Sequence, residues 1–362
     1  MFSTDTATSA LEAYETLAAL PLHIERLETQ TLELAGATSF TRLTTEVQLS
    51  GAGHTGRGED PSYSSEMQRE LLGWFASLED RLVGDWTFES YSACLDSLEL
   101  TPTTGQWTDH PNFQRWAFES AGLDLALRQS GLGFAQALGR EQHELRFCIS
   151  MGLGSPPSLD RVHGWIEQHP RVEFKLDASR EWDTQLIADL AATEAVRVVD
   201  IKGMYTGDWI DNTPDPELYE RISHGMGEIL IEDPKLLPET RAALGDRGLR
   251  RVSWDAPLHS VSDLTMVDEF PSAVNIKPSR FGTVRELLGA IDWCNERKIP
   301  LYAGGQYEIG WGRSQAQQIA AVFYANAAND IAPAVWHTAQ PGDDVPQSPL
   351  KLPDGIGFGF EA

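Results

Sequence analysis

The chain has 362 residues, 41% of them hydrophobic and 23% charged, which suits one large core or a barrel with a smaller companion domain. Fifty-four acids against 28 bases give a formal net charge of −26, which argues against nucleic acid or an anionic membrane as a partner. No apolar stretch reaches the ~20 residues of a membrane span.

Residues 1–18 have no basic stretch ahead of an apolar block, so they are expected to form a loosely attached leader and not a secretory signal. Cys94, Cys148 and Cys294 are odd in number, far apart and in no metal-ligand spacing, which suits reduced core thiols and a cytoplasmic location. Six lysines against 22 arginines, within so large an acid excess, suit a halophilic source where salt screens self-repulsion.

From Leu22 the text becomes strand-like, with apolar and polar residues roughly alternating through IERLETQTLEL and TRLTTEVQLS. Glycines in GAGHTGRGED mark the next turn, and helical periodicity follows in EMQRELLGWFASLEDRLV and NFQRWAFESAGLDLALRQS. The expectation is an N-terminal α+β unit over residues 1–143. After Glu144, short apolar strands alternate with amphipathic helices: LRFCISM, VEFKLD, VRVVDIK, EILIED, RVSWDAP, AVNIKPS, IPLYAGG and DIAPAVW. Eight such strands predict a parallel (β/α) barrel over residues 144–340. No GxGxxG or Walker-type loop opens any of the helices, which weakens a nucleotide-binding reading. The glycine-punctuated tail, residues 341–362, is expected to return to the N-terminal unit.

Ionisable residues recur at the C-terminal ends of these strands: Lys175 and Asp177, Asp200 and Lys202, Glu232, Asp255, Lys277 and Glu308. In parallel barrels that end is the active face. From Asp200, steps of 32, 23 and 22 residues reach Glu232, Asp255 and Lys277, each about one β/α unit. Three carboxylates from successive strands would repel one another unless a cation sat among them. Oxygen-only ligation favours magnesium over zinc. Lys175, Lys202 and Lys277, half of the lysine set, all fall in apolar runs where an unpaired ammonium is costly.

In their shared order, VQLSGAGHTGRGED, RWAFESAGLDLAL, ILIEDP, SWDAP, NIKPSRFG and LPDGIGFGF resemble the enolase superfamily, in particular its muconate-lactonizing and mandelate-racemase branch. The resemblance implies an α/β fold, a modified TIM-type barrel with an N-terminal α+β capping domain. It also implies Asp200, Glu232 and Asp255 as ligands of one Mg2+, with Lys277 as acid/base. The activity implied is abstraction of a proton alpha to the carboxylate of a small-molecule substrate, the metal stabilising the enolate. Elimination of the dehydratase or synthase type leads, with epimerisation next. Members are commonly homo-oligomers, which the resemblance extends to this chain.

Two strands depart from the pattern. The second barrel strand of the family ends in lysine-x-lysine, where FKLDAS supplies Lys175 and Asp177; the third ends in Asp-x-Asn, where VVDIKG supplies Asp200 and Lys202. Residues two apart on a strand share a face. Lys202 is therefore read either as a base moved sideways, paired to Asp177, or as half of a structural ion pair. Glu308 could bind the substrate carboxylate or pair with Arg313, and Arg280 could clamp an anion or pair with an acid. Lys175 could orient a carboxylate, while His259 and His337 lie near strand ends. Trp209 and Trp336 are read as packing residues. Two further readings stand beside the main one: a deaminating lyase resembling methylaspartate ammonia-lyase, from AIDWCNERKIPLYAGGQYEIGWGRSQ, and a barrel that kept the fold without catalysis.

Overall fold

The alternation read from Leu22 onward is realised as strands, and the computed structural model describes residues 9–35, 41–101, 111–205 and 213–361. The first element is a helix, α1 (Ala10–Ala18), so these residues are packed where a loose leader had been expected, and residues 1–8 lie outside the described residues. Ala10, Ala13, Tyr14, Leu17 and Ala18 form one buried stripe at helical spacing. Ser9 caps the helix in a capping box, and Asp292 accepts the N–H groups of Ala10 and Leu11 at 2.8 and 2.6 Å.

β1 (Pro21–Ile24) is followed by β2 (Arg26–Leu34), β3 (Arg42–Gly51) and β4 (His54–Asp60), which form an antiparallel sheet in the order β2-β3-β4. Helices α2 (Ser65–Ala76) and α3 (Glu79–Leu82) lead to β5 (Gly84–Thr87), which pairs with β1. Next come α4 (Phe88–Asp96), α5 (Pro111–Gln129) and α6 (Phe134–Ala137). α5 is buried on every side from Phe113 to Leu127, because the sheet covers one face and the following barrel the other. Gly58 of β4 makes the close approach possible: a Cβ there would stand 2.0 Å from the Ala117 carbonyl oxygen of α5.

The second half alternates strand and helix as the rhythm predicts. β6 (Ile149–Gly152), α7 (Asp160–Gln168), β7 (Phe174–Asp177), α8 (Thr184–Ala192), β8 (Val196–Asp200) and α9 (Pro216–Gly225) come first. β9 (Leu230–Glu232), α10 (Pro238–Leu249), β10 (Val252–Trp254), β11 (Ala273–Ile276), α11 (Pro278–Phe281) and α12 (Val284–Glu296) follow, then β12 (Leu301–Ala303) and α13 (Trp311–Phe323). The seven strands are parallel, each bonded to its sequence neighbour.

An eighth strand was expected from DIAPAVW and is reduced to a stub. Asp330 bridges Gly304 and Asn329 bridges Phe147, both in parallel sense, so the stub spans the seam between the two edges of the curled sheet. Pro333 follows three residues after Asp330 and withholds the N–H that a further ladder bond would need. The chain turns there into a 3-10 segment, Ala334–His337. Trp336 packs against Trp165 at 4.6 Å between centroids, whereas Trp209 lies outside the described residues.

The tail runs back to the N-terminal half. Phe358 packs against Phe134 at 4.5 Å between centroids, and its N–H donates to Asp124 of α5 at 2.7 Å. Two further ties join the halves. Arg42, fully buried, donates to the carbonyls of Pro61 and Ser62 on one side and of Gln306 and Tyr307 on the other. Glu59 reaches from β4 to accept the N–H groups of Ile309, Gly310 and Gly312 at the start of α13. No helix among the described residues is long and apolar enough to cross a membrane.

Candidate active site and metal centre

Register sets the layout of the site. Asp177 pairs with Asp200, and Asp200 with Glu232, so three successive strands end in acids at one level. Lys175 precedes Asp177 by two residues and shares its face, one step deeper in the barrel. Asp255 and Lys277 follow directly on the next two strands, and Lys277 leads into the short helix α11.

Lys175 is 2% exposed, and its ammonium contacts Glu232 Oε1 and lies 3.5 Å from Asp200 Oδ2 and 3.4 Å from Asp330 Oδ2. Burial would lower its pKa, but Glu232, Asp200 and Asp330 together outweigh that and hold it above the ordinary lysine range. Lys202 behaves alike: against burial, Asp177 and Asp200 hold its pKa up, each 3.0 Å from its Nζ. Burial pushes the Glu232 carboxyl up to about 7, Lys175 opposing this while Asp200 and Asp255 add to it. Asp255 is shifted the other way. Although burial raises it, Arg280 (3.0 Å) and Lys277 (2.8 Å) hold it below the usual carboxylate range.

The sequence-derived residues therefore converge at one mouth, with specific pairings. Asp177 meets Lys202, Arg280 pairs with an acid, Asp255, and Glu308 lies 3.4 Å from Arg313. His259 is on the loop after β10, where its N–H donates to Asp263 and its carbonyl accepts from Asn112. His337 adjoins the Glu308–Arg313 pair, its Nε2 3.1 Å from Arg313 Nη2, and burial followed by the Arg313 charge pushes its pKa down to about 2.

Sequence reasoning missed several residues of the cluster. Asp233 follows Glu232 with φ +52°, and its two oxygens accept the N–H groups of Asp255 and Ala256 at 2.8 Å each. Tyr205 donates to Asp255 Oδ2 at 2.9 Å. Tyr302 and Asn275 both donate to Glu232 Oε2. Asp330 stands on the stub that replaces the eighth strand. Gly304 leaves room for this packing, since a Cβ there would lie 2.3 Å from Asn275 Oδ1 and 2.6 Å from Lys277 Cε.

Carboxylate oxygens of Asp200, Glu232 and Asp233, all buried, lie within 4.8 Å of one another, a group that could hold a metal ion. The sequence named Asp255 as the third ligand, but here its oxygens face Lys277, Arg280 and Tyr205. Among the described residues the cluster holds six carboxylates (Asp177, Asp200, Glu232, Asp233, Asp255, Asp330) and four cations (Lys175, Lys202, Lys277, Arg280). Carboxyls thus outnumber cations by two; burial pushes Asp233 well above the usual carboxylate range and Glu232 up to about 7, and a divalent cation among them would favour their ionised forms, the all-oxygen donor set suiting a hard one. The residues fit magnesium.

Comparison with known proteins bears on the family and the fold. Residues 141–338 match the family described as the C-terminal domain of a domain of unknown function (DUF8230), and residues 15–137 match its N-terminal domain. The chain is 26% identical over 267 residues to the o-succinylbenzoate synthase of Geobacillus kaustophilus, covering 69% of this chain and 68% of that protein. It is 28% identical over 234 residues to an N-succinylamino acid racemase of an Amycolatopsis species, covering 61% of this chain and 60% of the relative's length. Among solved structures it resembles a mandelate racemase/muconate lactonizing protein from Herpetosiphon aurantiacus, with a TM-score of 0.69, 19% identity, and 94% and 98% of the two chains covered. It also resembles the muconate cycloisomerase of Pseudomonas fluorescens, with a TM-score of 0.66, 18% identity, and 93% and 95% covered. The chain belongs to the DUF8230 family, and its capped barrel has the fold of the mandelate racemase and muconate lactonizing proteins.

Proposed function

We propose that the chain is a magnesium-dependent enzyme that removes the proton alpha to the carboxylate of a small organic acid and carries the reaction on to elimination. The observation that supports this most is the meeting of Lys277 with a buried cluster in which carboxyls outnumber cations by two, at the C-terminal mouth of the barrel. Asp200, Glu232 and Asp255 would hold the ion. Asp233 is the poorer ligand, because rigid backbone donors already claim both of its oxygens, whereas the partners of Asp255 are flexible side chains. A bound Mg2+ supplies Lewis-acid stabilisation of the negative charge that grows on the substrate carboxylate.

Lys277 is the acid/base. As a neutral amine it takes the alpha proton, and as an ammonium it returns a proton to a leaving hydroxyl on the same face. One such group suffices for a syn elimination, and Lys202 serves as a fixed charge between Asp177 and Asp200. Epimerisation is the second reading, favoured by the racemase relative and by the presence of the Lys202 ammonium at the same mouth.

Solvent deuterium exchange at the alpha carbon tests both, using N-succinylamino acids and related carboxylic acids. The expected result is exchange with Mg2+ and none after chelation. Lys277→Ala should slow exchange by about 10³-fold, roughly 4 kcal/mol, while Mg2+ uptake survives. Lys202→Ala should stay within about tenfold of wild type; a loss near 10³-fold would instead make Lys202 the second base. No exchange across the panel would overturn catalysis and leave a binding protein on an enzyme's fold.

A further inference from the structure

Beneath the acid cluster lies a buried polar layer that the proposed chemistry does not use. Ser253, Asn275 and Tyr302 sit on β10, β11 and β12, and they are 0%, 1% and 2% exposed. Register brings them together: Ser253 pairs with Glu232, and Asn275 with Tyr302. Asn275 Nδ2 donates to Glu232 Oε2 at 3.2 Å, and the Tyr302 hydroxyl donates to the same oxygen. Ser253 Oγ is 3.0 Å from the Tyr302 hydroxyl. The phenol gives its single proton to Glu232, so the Ser253 hydroxyl donates to the phenol oxygen. The direction of the whole chain is thereby fixed.

A carboxylate oxygen has two lone pairs to offer. Tyr302 and Asn275 take both on Oε2, leaving Oε1 as the oxygen that faces the cluster, where Lys175 contacts it. We infer that Tyr302 and Asn275 make Glu232 a one-oxygen ligand and so select a small octahedral ion over a larger one. This rests on the metal reading above. Mg2+ demands near-ideal octahedral geometry, whereas Ca2+ takes six to eight oxygens and readily accepts a carboxylate through both. With Oε2 held away, the site cannot present the bidentate grip that suits Ca2+. Tyr302 and Asn275 act through Glu232 and are positioning residues.

Calorimetric titration of the full chain with MgCl2 and with CaCl2 tests this without reference to turnover. Wild type should prefer Mg2+. Tyr302→Phe, which keeps the ring and removes the donor, should weaken Mg2+ binding by about 10-fold or more, the usual effect of losing an outer-shell partner. Ca2+ binding should hold or strengthen, so that the ratio of affinities narrows by at least about tenfold. Ser253→Ala should move the ratio the same way by less. If Tyr302→Phe fails to give a cooperative melt, Asn275→Ala carries the same expectation. An unchanged Mg2+/Ca2+ ratio in the folded variant overturns the clamp and leaves the metal site standing. A wild-type chain that takes up neither ion overturns both.

Discussion

At Lys175 an ammonium with 2% exposure is surrounded by Glu232, Asp200 and Asp330. Removing one member of a buried ionic cluster leaves its partners desolvated and uncompensated, at a typical cost of about 3–5 kcal/mol. Lys175→Met should therefore destabilise the metal-free chain by roughly that amount. Mg2+ should recover more stability in the variant than it adds to wild type, because the acids it meets have lost their counter-charge. Denaturant melts with and without Mg2+ measure this, and equal stability of variant and wild type would remove Lys175 from the electrostatic frame. The roster of the site was largely legible at this scale, since lysines in apolar runs and acids at strand ends are costly to place without partners. The pairings were less so. Asp330 went unread because its strand was expected to run on to Trp336, and Asp233 because only its positive φ turns its carboxylate toward the Asp255 N–H.

At the scale of elements, the segment that replaces the eighth strand carries a titratable group with a clear sign. The pKa of His337 is pushed down to about 2 by burial and by Arg313, against about 6.5 for an exposed histidine. The unfolded chain therefore binds a proton near pH 6 that the folded chain refuses. Stability from this site is complete above about pH 6.5 and is lost as pH falls, by up to about 1.4 kcal/mol per unit. His337→Gln should flatten that part of the acid limb, by up to about 2 kcal/mol between pH 6.5 and 5 in denaturant titrations. Parallel profiles for the two proteins would disprove the assignment. Strand and helix order was legible because the hydrophobic period switches from 2 to 3.6. The stub was not, because two bridged residues leave no period to read. The first helix was passed over because nine residues of ALEAYETLA show an apolar stripe whose partner, α12, lies some 280 positions away in the chain.

For the whole molecule, the balance of −26 is a statement about solvent. Mutual repulsion among surface acids weakens as the Debye length shrinks from about 10 Å at 0.1 M salt to about 3 Å at 1 M. The melting temperature should therefore rise between low and molar KCl, and a flat response would show that the acid excess carries no destabilising field. Composition alone announced this, whereas the curl of the sheet depended on long-range pairing that no local pattern encodes.

Arg42 and Glu59 give the architecture a further consequence. Each is rooted in the antiparallel half yet completes backbone hydrogen bonding in the barrel half, Arg42 at the turn after β12 and Glu59 at the first residues of α13. Neither half is a portable module. A transplanted barrel would expose raw amide and carbonyl groups beside its own reaction chamber, so inheritance and engineering alike must move the two halves together.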